Sequence, residues 1–136
     1  MDREQALAFI ADNHRAVLAT TRDDGAVQLS PVLAAVGAGA AVVVSTRTTA
    51  VKVRNLRRRR RAALAVMSDA FFGTWVQVEG PVEIVPLPEA MDGLVAYYRA
   101  ISGEHADWDD YRASMEREQR VLLRLTVDRA GPTVSG

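Results

Sequence analysis

The sequence predicts a mainly β fold: a six-stranded antiparallel barrel capped by short helices. Three observations predict it. Short runs rich in Val, Leu and Thr alternate with turn signals. The period changes to a helical one in only three regions, at the start, after the third strand and before the last. The connections between the early strands have hairpin length. Closing such a sheet into a barrel also removes its exposed edges.

Each element has its own justification. Residues 2–12 read as a short helix with an apolar stripe of Ala6, Leu7, Phe9 and Ile10. Residues 14–22 form the first strand. Asp23-Asp24-Gly25 is a hairpin signal, because glycine supplies the positive φ. The return strand spans 26–36, and Pro31 within it predicts a bulge or an edge position, since proline cannot donate to a ladder. Gly37-Ala38-Gly39 turns the chain into a third strand, Ala40 to Thr46. A short helix is expected from near Thr49 to about Arg58. Strand character returns over 61–68. Residues 69–73 read as a loop, and 74–85 as a long strand bent or bulged at Gly80-Pro81. From Glu89 a helix places Met91, Leu94, Val95 and Tyr98 on one face, and Ser102-Gly103 ends it. Asp107 caps a second helix with Trp108, Tyr111 and Met115 on one face. The sixth strand is 121–127, and the tail 130–136 is expected to fray.

Composition narrows the function. The 136 residues suit a single domain, 1–136, and 49% hydrophobic with 25% charged residues is an ordinary globular balance. A chain of this size buries roughly 65–70% of its unfolded surface. Formal net charge is zero, so bulk attraction to nucleic acid or an acidic membrane is not expected. The chain has no cysteine and only two histidines, His14 and His105, which argues against thiol chemistry and a protein-held metal. No apolar run has the length of a membrane span, and Met1-Asp2-Arg3-Glu4 is unlike a signal peptide, so the cytoplasm is the expected location.

Lys52 is the only lysine, and every other basic residue is arginine. It follows the strand-end hydroxyls Ser45 and Thr46 and sits where Thr49 to Lys52 open a helix. Hydroxyls, free first-turn amides and one compact ammonium make a phosphate cradle. A plain strand-to-helix junction is the competing reading. Arg54, two residues on, points away from Lys52 on a helix. Gln28 and Ser30 share one face of the return strand beside Pro31, where they either aim at a ligand or face solvent. Phe71, Phe72 and Trp75 offer stacking faces, but core packing is expected for at least two of them. The run Arg57 to Arg61 is read as a solvated helix end, and His105, near Glu104 and Asp107, as part of a helix cap. No Ser-His-Asp order, paired carboxylates or glycine-rich nucleotide loop is present, so an enzyme built on this chain needs a bound cofactor.

Several segments, taken in order, resemble the pyridoxamine 5′-phosphate oxidase-like split β-barrel proteins of the FMN-binding type. They are Val17-Leu18-Ala19-Thr20, Asp24-Gly25, Gln28 to Val32, Ser45-Thr46, Lys52 to Arg58 and Val78-Glu79-Gly80. Gly103 to Arg112 is similar to the actinobacterial branch of F420-dependent oxidoreductases. The likeness spans nearly the whole chain.

This resemblance implies a homodimer with two cofactor sites at the subunit interface. It implies a flavin or deazaflavin whose phosphate meets Lys52, with Ser45, Thr46, Ala50 and Val51 in the phosphate segment and Gln28, Ser30 and Pro31 beside the ring. Trp75 stands where flavin-using relatives often carry a glutamine, which disfavours FMN and suits ring packing. Arg54, Arg57 or Arg58 would meet the cofactor's anionic tail. The chain ends soon after the sixth strand, without the substrate-binding segment of pyridoxamine phosphate oxidases proper, and this sets an expectation against vitamin B6 oxidation. The expected activity is that of a coenzyme F420-dependent reductase, passing hydride to an electron-poor C=C or C=O of a small molecule. An FMN-dependent oxidoreductase and a non-catalytic flavin or deazaflavin carrier are the alternatives. Haem ranks last, for want of a well-placed histidine. No residue stands out as a proton donor.

Overall fold

The computed structural model describes residues 1–132. Helix α1 (Arg3–Asp12) begins with a capping box. The Asp2 carboxylate accepts the Gln5 amide at 2.8 Å, and the Gln5 side chain accepts the Asp2 amide at 2.9 Å. Two otherwise free donors are thereby satisfied. Strands β1 (Arg15–Thr21) and β2 (Val27–Leu33) form the predicted hairpin. Gly25 turns it at φ 87°, a conformation costly for any residue with a Cβ.

The remaining strands are β3 (Ala35–Val36), β4 (Val42–Arg47), β5 (Arg61–Met67), β6 (Trp75–Val85), β7 (Arg120–Leu125) and β8 (Arg129–Gly131). Their order is β2-β1-β5-β6-β7-β4-β3, all antiparallel, with β8 added beside β6. Strands β2 and β3 are consecutive in the chain yet end the order on opposite sides. The sheet therefore curls back on itself and is split where those two meet.

Eight segments replace the six expected strands, for two reasons. The strand expected over 26–36 changes partner at Ala34: β2 pairs with β1, β3 with β4. The tail does not fray from residue 130. Arg129–Gly131 pair with Gln77–Glu79, and the Met1 ammonium donates to the Pro132 carbonyl. The part of the tail at 133–136 lies outside the described residues.

Pro31 makes no bulge. Its register with β1 is continuous, Val17 facing Pro31. The Ala34 amide donates to the His14 carbonyl at 2.8 Å. Antiparallel alternation then assigns the β1-directed bonds to the even-numbered residues of β2, and Pro31 needs no N–H on that side. Its missing donor faces the free edge. The bend at Gly80-Pro81 is real: β6 pairs with β5 up to Pro81 and with β7 from Val82. A Cβ on Gly80 would lie 1.7 Å from the Thr126 carbonyl oxygen, so only glycine fits this crossing.

Two apolar clusters lie on opposite faces of β4 and β7. Val42, Val44, Leu123 and Leu125 join α1 and the helix α2 (Val51–Arg58) inside the barrel. Val43 and Leu122 pack outward against α3 (Met91–Ser102) and α4 (Trp108–Arg117). The alternation of strand side chains produces this division. Asp107 caps α4 as predicted, accepting the Asp110 amide at 3.1 Å. His105 accepts the Asp107 amide at 2.9 Å and packs against Tyr98, Trp108 and Tyr111, clasping α3 to α4. No helix among the described residues is long and apolar enough to cross a membrane.

Candidate functional site

The split in the barrel is held open by one hydroxyl. Ala35 faces Val43 and Val36 faces Val42, so the continued register would bring Leu33 opposite Ser45. Tyr97 of α3 stands there instead. Its hydroxyl donates to the Leu33 carbonyl at 2.8 Å, with the Ser45 amide nearby. A phenol thus replaces the next rung of the ladder, and β2 and β4 diverge beyond it. Burial raises the Tyr97 pKa above its ordinary value.

Helix α2 lies against this divergence. Val53 and Leu56 bury into the barrel, and between them Asn55 is only 3% exposed. Its Nδ2 donates to Thr20 Oγ1 at 3.1 Å and to Gln28 Oε1 at 2.9 Å. Its Oδ1 accepts from Arg58 at 3.3 Å. One amide therefore ties α2 to β1 and β2, and the Gln28 NH2 has no acceptor among the described residues.

The start of α2 is left open. Its N-cap is Ala50, which has no side-chain acceptor, and the first turn holds no acidic residue. Val53 and Arg54 bond back to the Ala50 carbonyl, while the amides of Val51 and Lys52 find no acceptor among the described residues. Lys52 is half-buried and has no ion-pair partner among the described residues. Desolvation, and then the positive charge of Arg120, lower its pKa below the ordinary lysine value. An uncapped positive helix end beside an unpaired, partly desolvated ammonium is the setting that an anion stabilises.

The α4–β7 turn underlies this helix start. The Thr48 amide donates to the Gln119 carbonyl at 2.9 Å. A groove of about 340 Å³ opens between the turns, with Thr48, Leu87, Glu116, Gln119 and Arg120 in its wall. Arg120 faces Arg47 across the β4–β7 pair. Glu118 lies between their guanidinium groups, 2.8 Å from Arg120 Nη2 and 3.3 Å from Arg47 Nη2.

The residues expected to form the site divide into groups. Ala50, Val51 and Lys52 stand together at the helix start. Gln28 joins α2 through Asn55, and Ser30 shares its face of β2, half-buried. Ser45 and Thr46, expected to act together, point to opposite faces of β4: Ser45 lies on the Tyr97 side, while Thr46 is buried. Arg54 is exposed and apart from Lys52. Pro31 faces outward. Trp75 pairs with Met67 on the outer face of the sheet, in a row that continues to Arg15 and Leu33. The single chain does not bring Trp75 to Lys52.

One expectation needs correction. Phe71 and Phe72 do not pack in the core: they are 76% and 97% exposed in the β5–β6 loop, stacked edge-on at 5.0 Å. The arginine run is exposed over 57–60 as expected, and some of its members also bond to the chain. Arg57 donates to Thr48, Arg58 to Asn55 and the Thr21 carbonyl, and Arg61 holds Asp128 and Glu79.

Asn55, Tyr97, Glu118 and Arg120 were not singled out in the sequence. Tyr97 had a signal, since it falls three residues after Leu94 on the apolar side of α3. Arg120 and Glu118 had none, because their role depends on the β4–β7 register. Among the described residues no cluster of acidic and histidine side chains suits a metal.

With the geometry in place, the chain was compared with known proteins. The family model for pyridoxamine 5′-phosphate oxidase matches residues 2–133. The chain belongs to the pyridoxamine 5′-phosphate oxidase family. Solved structures support the same fold. A conserved hypothetical protein of Mycobacterium tuberculosis is 23% identical, with a TM-score of 0.78 over all of this chain and 93% of that one. An F420 reductase is 22% identical, with a TM-score of 0.71 over 94% of each chain. A haem-binding protein from Mycobacterium smegmatis is 21% identical, with a TM-score of 0.66 over 94% of this chain and 51% of that one. At these identities the likeness is one of fold.

Proposed function

We propose that the chain is a coenzyme F420-dependent oxidoreductase working as a homodimer. The observation that carries this is the unpaired, half-buried Lys52 beside the free Val51 and Lys52 amides. Those groups fit an anionic phosphate and leave little for it to displace. The resemblance over Gly103 to Arg112 and the fold likeness to an F420 reductase favour a deazaflavin over FMN.

Lys52 and the two amides would hold the phosphate, with Ser45 alongside. The free NH2 of Gln28 is a donor for a polar ring edge, and its orientation is fixed by Asn55. When bound, the reduced deazaflavin supplies a hydride for an electron-poor C=C or C=O. The chain's part is to orient and to exclude water, and no side chain here is assigned a proton.

The homodimer rests on the outer sheet face. Val27, Leu29 and Leu33 are exposed along the edge strand, with Ala19 opposite Leu29, and Val17 and Ala65 in the row of Pro31. A second copy packed on this face would cover it. In this reading Trp75 of the second copy would help to cover the cofactor site.

The test is a titration of the purified protein with coenzyme F420 and with FMN, followed by tryptophan fluorescence. F420 should bind more tightly. Lys52→Ala should weaken it by roughly 1.5–3 kcal/mol, the scale of a charge-assisted hydrogen bond, with the melting temperature unchanged. A tenfold preference for FMN would overturn the cofactor assignment, and unaltered binding by Lys52→Ala would overturn the phosphate site.

A further inference from the structure

The turn that carries α4 into β7 is strained at one residue. Gln119 adopts φ 53°, in the left-handed region that a side chain makes costly. Glycine, or less often asparagine, ordinarily stands where a helix ends in this conformation. The backbone needs that conformation here. The Gln119 carbonyl accepts the Thr48 amide at 2.9 Å, and its own amide donates to the Glu116 carbonyl at 3.1 Å. Neither bond uses the side chain, so glycine would serve the turn better. The Gln119 side-chain amide is exposed, lines the groove beside α2 and bonds to nothing among the described residues. A strained residue that keeps an unused polar side chain points to a ligand.

The groove supplies further donors. Arg120 Nε and Nη2 are both taken by Glu118, while Nη1 has no partner among the described residues. Thr48 Oγ1 accepts from Arg57 at 2.8 Å, which leaves its hydroxyl proton to donate. Pro86 and Leu87 add an apolar side. Charge around the groove is mixed, and Arg47, Lys52, Arg57 and Arg120 outnumber Glu116 and Glu118. Arg120 lies close enough to Lys52 to lower its pKa, and Thr48 lies just ahead of α2, so the groove runs on from the helix start.

We infer that this groove seats a carboxylate, and that Gln119 is a specificity-determining residue that binds it together with Arg120 and Thr48. The inference rests on the cofactor reading above. Beyond its phosphate the deazaflavin coenzyme continues into a carboxylate-bearing arm, whereas FMN ends there. A carboxylate accepts from the Gln119 NH2, Arg120 Nη1 and the Thr48 hydroxyl, and the apolar side packs the carbon chain. The strain at Gln119 is then a loss of stability retained for binding.

The experiment measures Tm, and Kd for coenzyme F420 and for FMN, with wild type, Gln119→Gly and Gln119→Ala. Both variants remove the amide, and only glycine relieves the backbone. Each should bind F420 roughly five- to tenfold more weakly, the loss of one hydrogen bond to a carboxylate, and leave FMN binding unchanged. Tm should rise by roughly 2–5 °C in Gln119→Gly and hold in Gln119→Ala. Unaltered F420 affinity in either variant, an equal loss for FMN, or a loss confined to Gln119→Gly overturns the inference alone, provided wild type binds F420. A Tm that falls in Gln119→Gly does the same, because the side chain then serves the fold. Wild type that binds neither cofactor, or that prefers FMN, overturns the cofactor reading and this inference with it.

Discussion

Asn55 is the side chain on which both the fold and the proposed site depend, and Asn55→Ala tests this directly. The substitution deletes the Nδ2 bonds to Thr20 Oγ1 at 3.1 Å and Gln28 Oε1 at 2.9 Å. Each such bond contributes about 1 kcal/mol net, and a buried group left without a partner costs about 1–3 kcal/mol. Thr20 is 2% exposed, so water does not readily replace the lost donor. Gln28 is half-buried and turns partly to solvent, so its loss lies at the lower end. The Arg58 contact, at 3.3 Å and partly exposed, adds little. The expected destabilisation is about 2–4 kcal/mol. For a domain of this length that is a fall of roughly 7–14 °C in Tm. Urea unfolding followed by circular dichroism, together with calorimetry, measures both. A loss below about 0.5 kcal/mol would refute the reasoning, since it would mean that α2 is held by Val53 and Leu56 alone.

Two further outcomes follow from the site. Tyr97→Phe keeps the ring but removes the bond that ties α3 to the Leu33 carbonyl; stability should fall by about 1–2 kcal/mol, and cofactor affinity should weaken several-fold as β2 shifts. A cofactor affinity identical to wild type would show that the split does not set the binding geometry. Tyr111 is buried, and its hydroxyl donates to the Leu94 carbonyl at 2.7 Å. Desolvation first, then the neighbouring Tyr97, push its pKa up to about 12. Its folded value is raised above the unfolded one, so the stability it contributes is present below pH ~10 and lost as pH rises through about 12. Alkaline unfolding should therefore steepen above pH ~10, and tyrosinate absorbance should report Tyr111 only as the protein unfolds. Full ionisation of all three tyrosines in a still-folded protein contradicts this.

Local signals in the sequence carried most of the fold. The Asp-Gly turn, the Gly80-Pro81 bend and the Asp107 cap each follow from the backbone demands of a few adjacent residues. What escaped was non-local. The change of partner at Ala34 depends on Tyr97, far along the chain, occupying the rung opposite Ser45. The pairing of β8 depends on Gly80 admitting the Thr126 carbonyl. Within the candidate site the same division holds. Lys52 was legible because it is unique, and the helix start because of the hydroxyl-rich approach. Ser45 and Thr46 were read as one unit, although strand alternation sends neighbours to opposite faces. Asn55, between the buried Val53 and Leu56, gave a weak signal, and Glu118 gave none.

The two faces of β2 make different demands on one strand. Inward, Gln28 and Ser30 alternate with the outward Val27, Leu29 and Pro31. An edge strand with an apolar outer face invites uncontrolled pairing. Pro31 blunts that tendency, because the missing N–H lies on the edge facing away from β1. What remains is a face that can be covered by packing more readily than by strand addition. In the reading proposed above, a second copy does so, while the opposite face of the same strand presents the free Gln28 NH2 to the cofactor. Association and cofactor binding then act on one short strand, tied to α2 by a single buried amide. Each event orders residues that the other uses, so each is expected to favour the other.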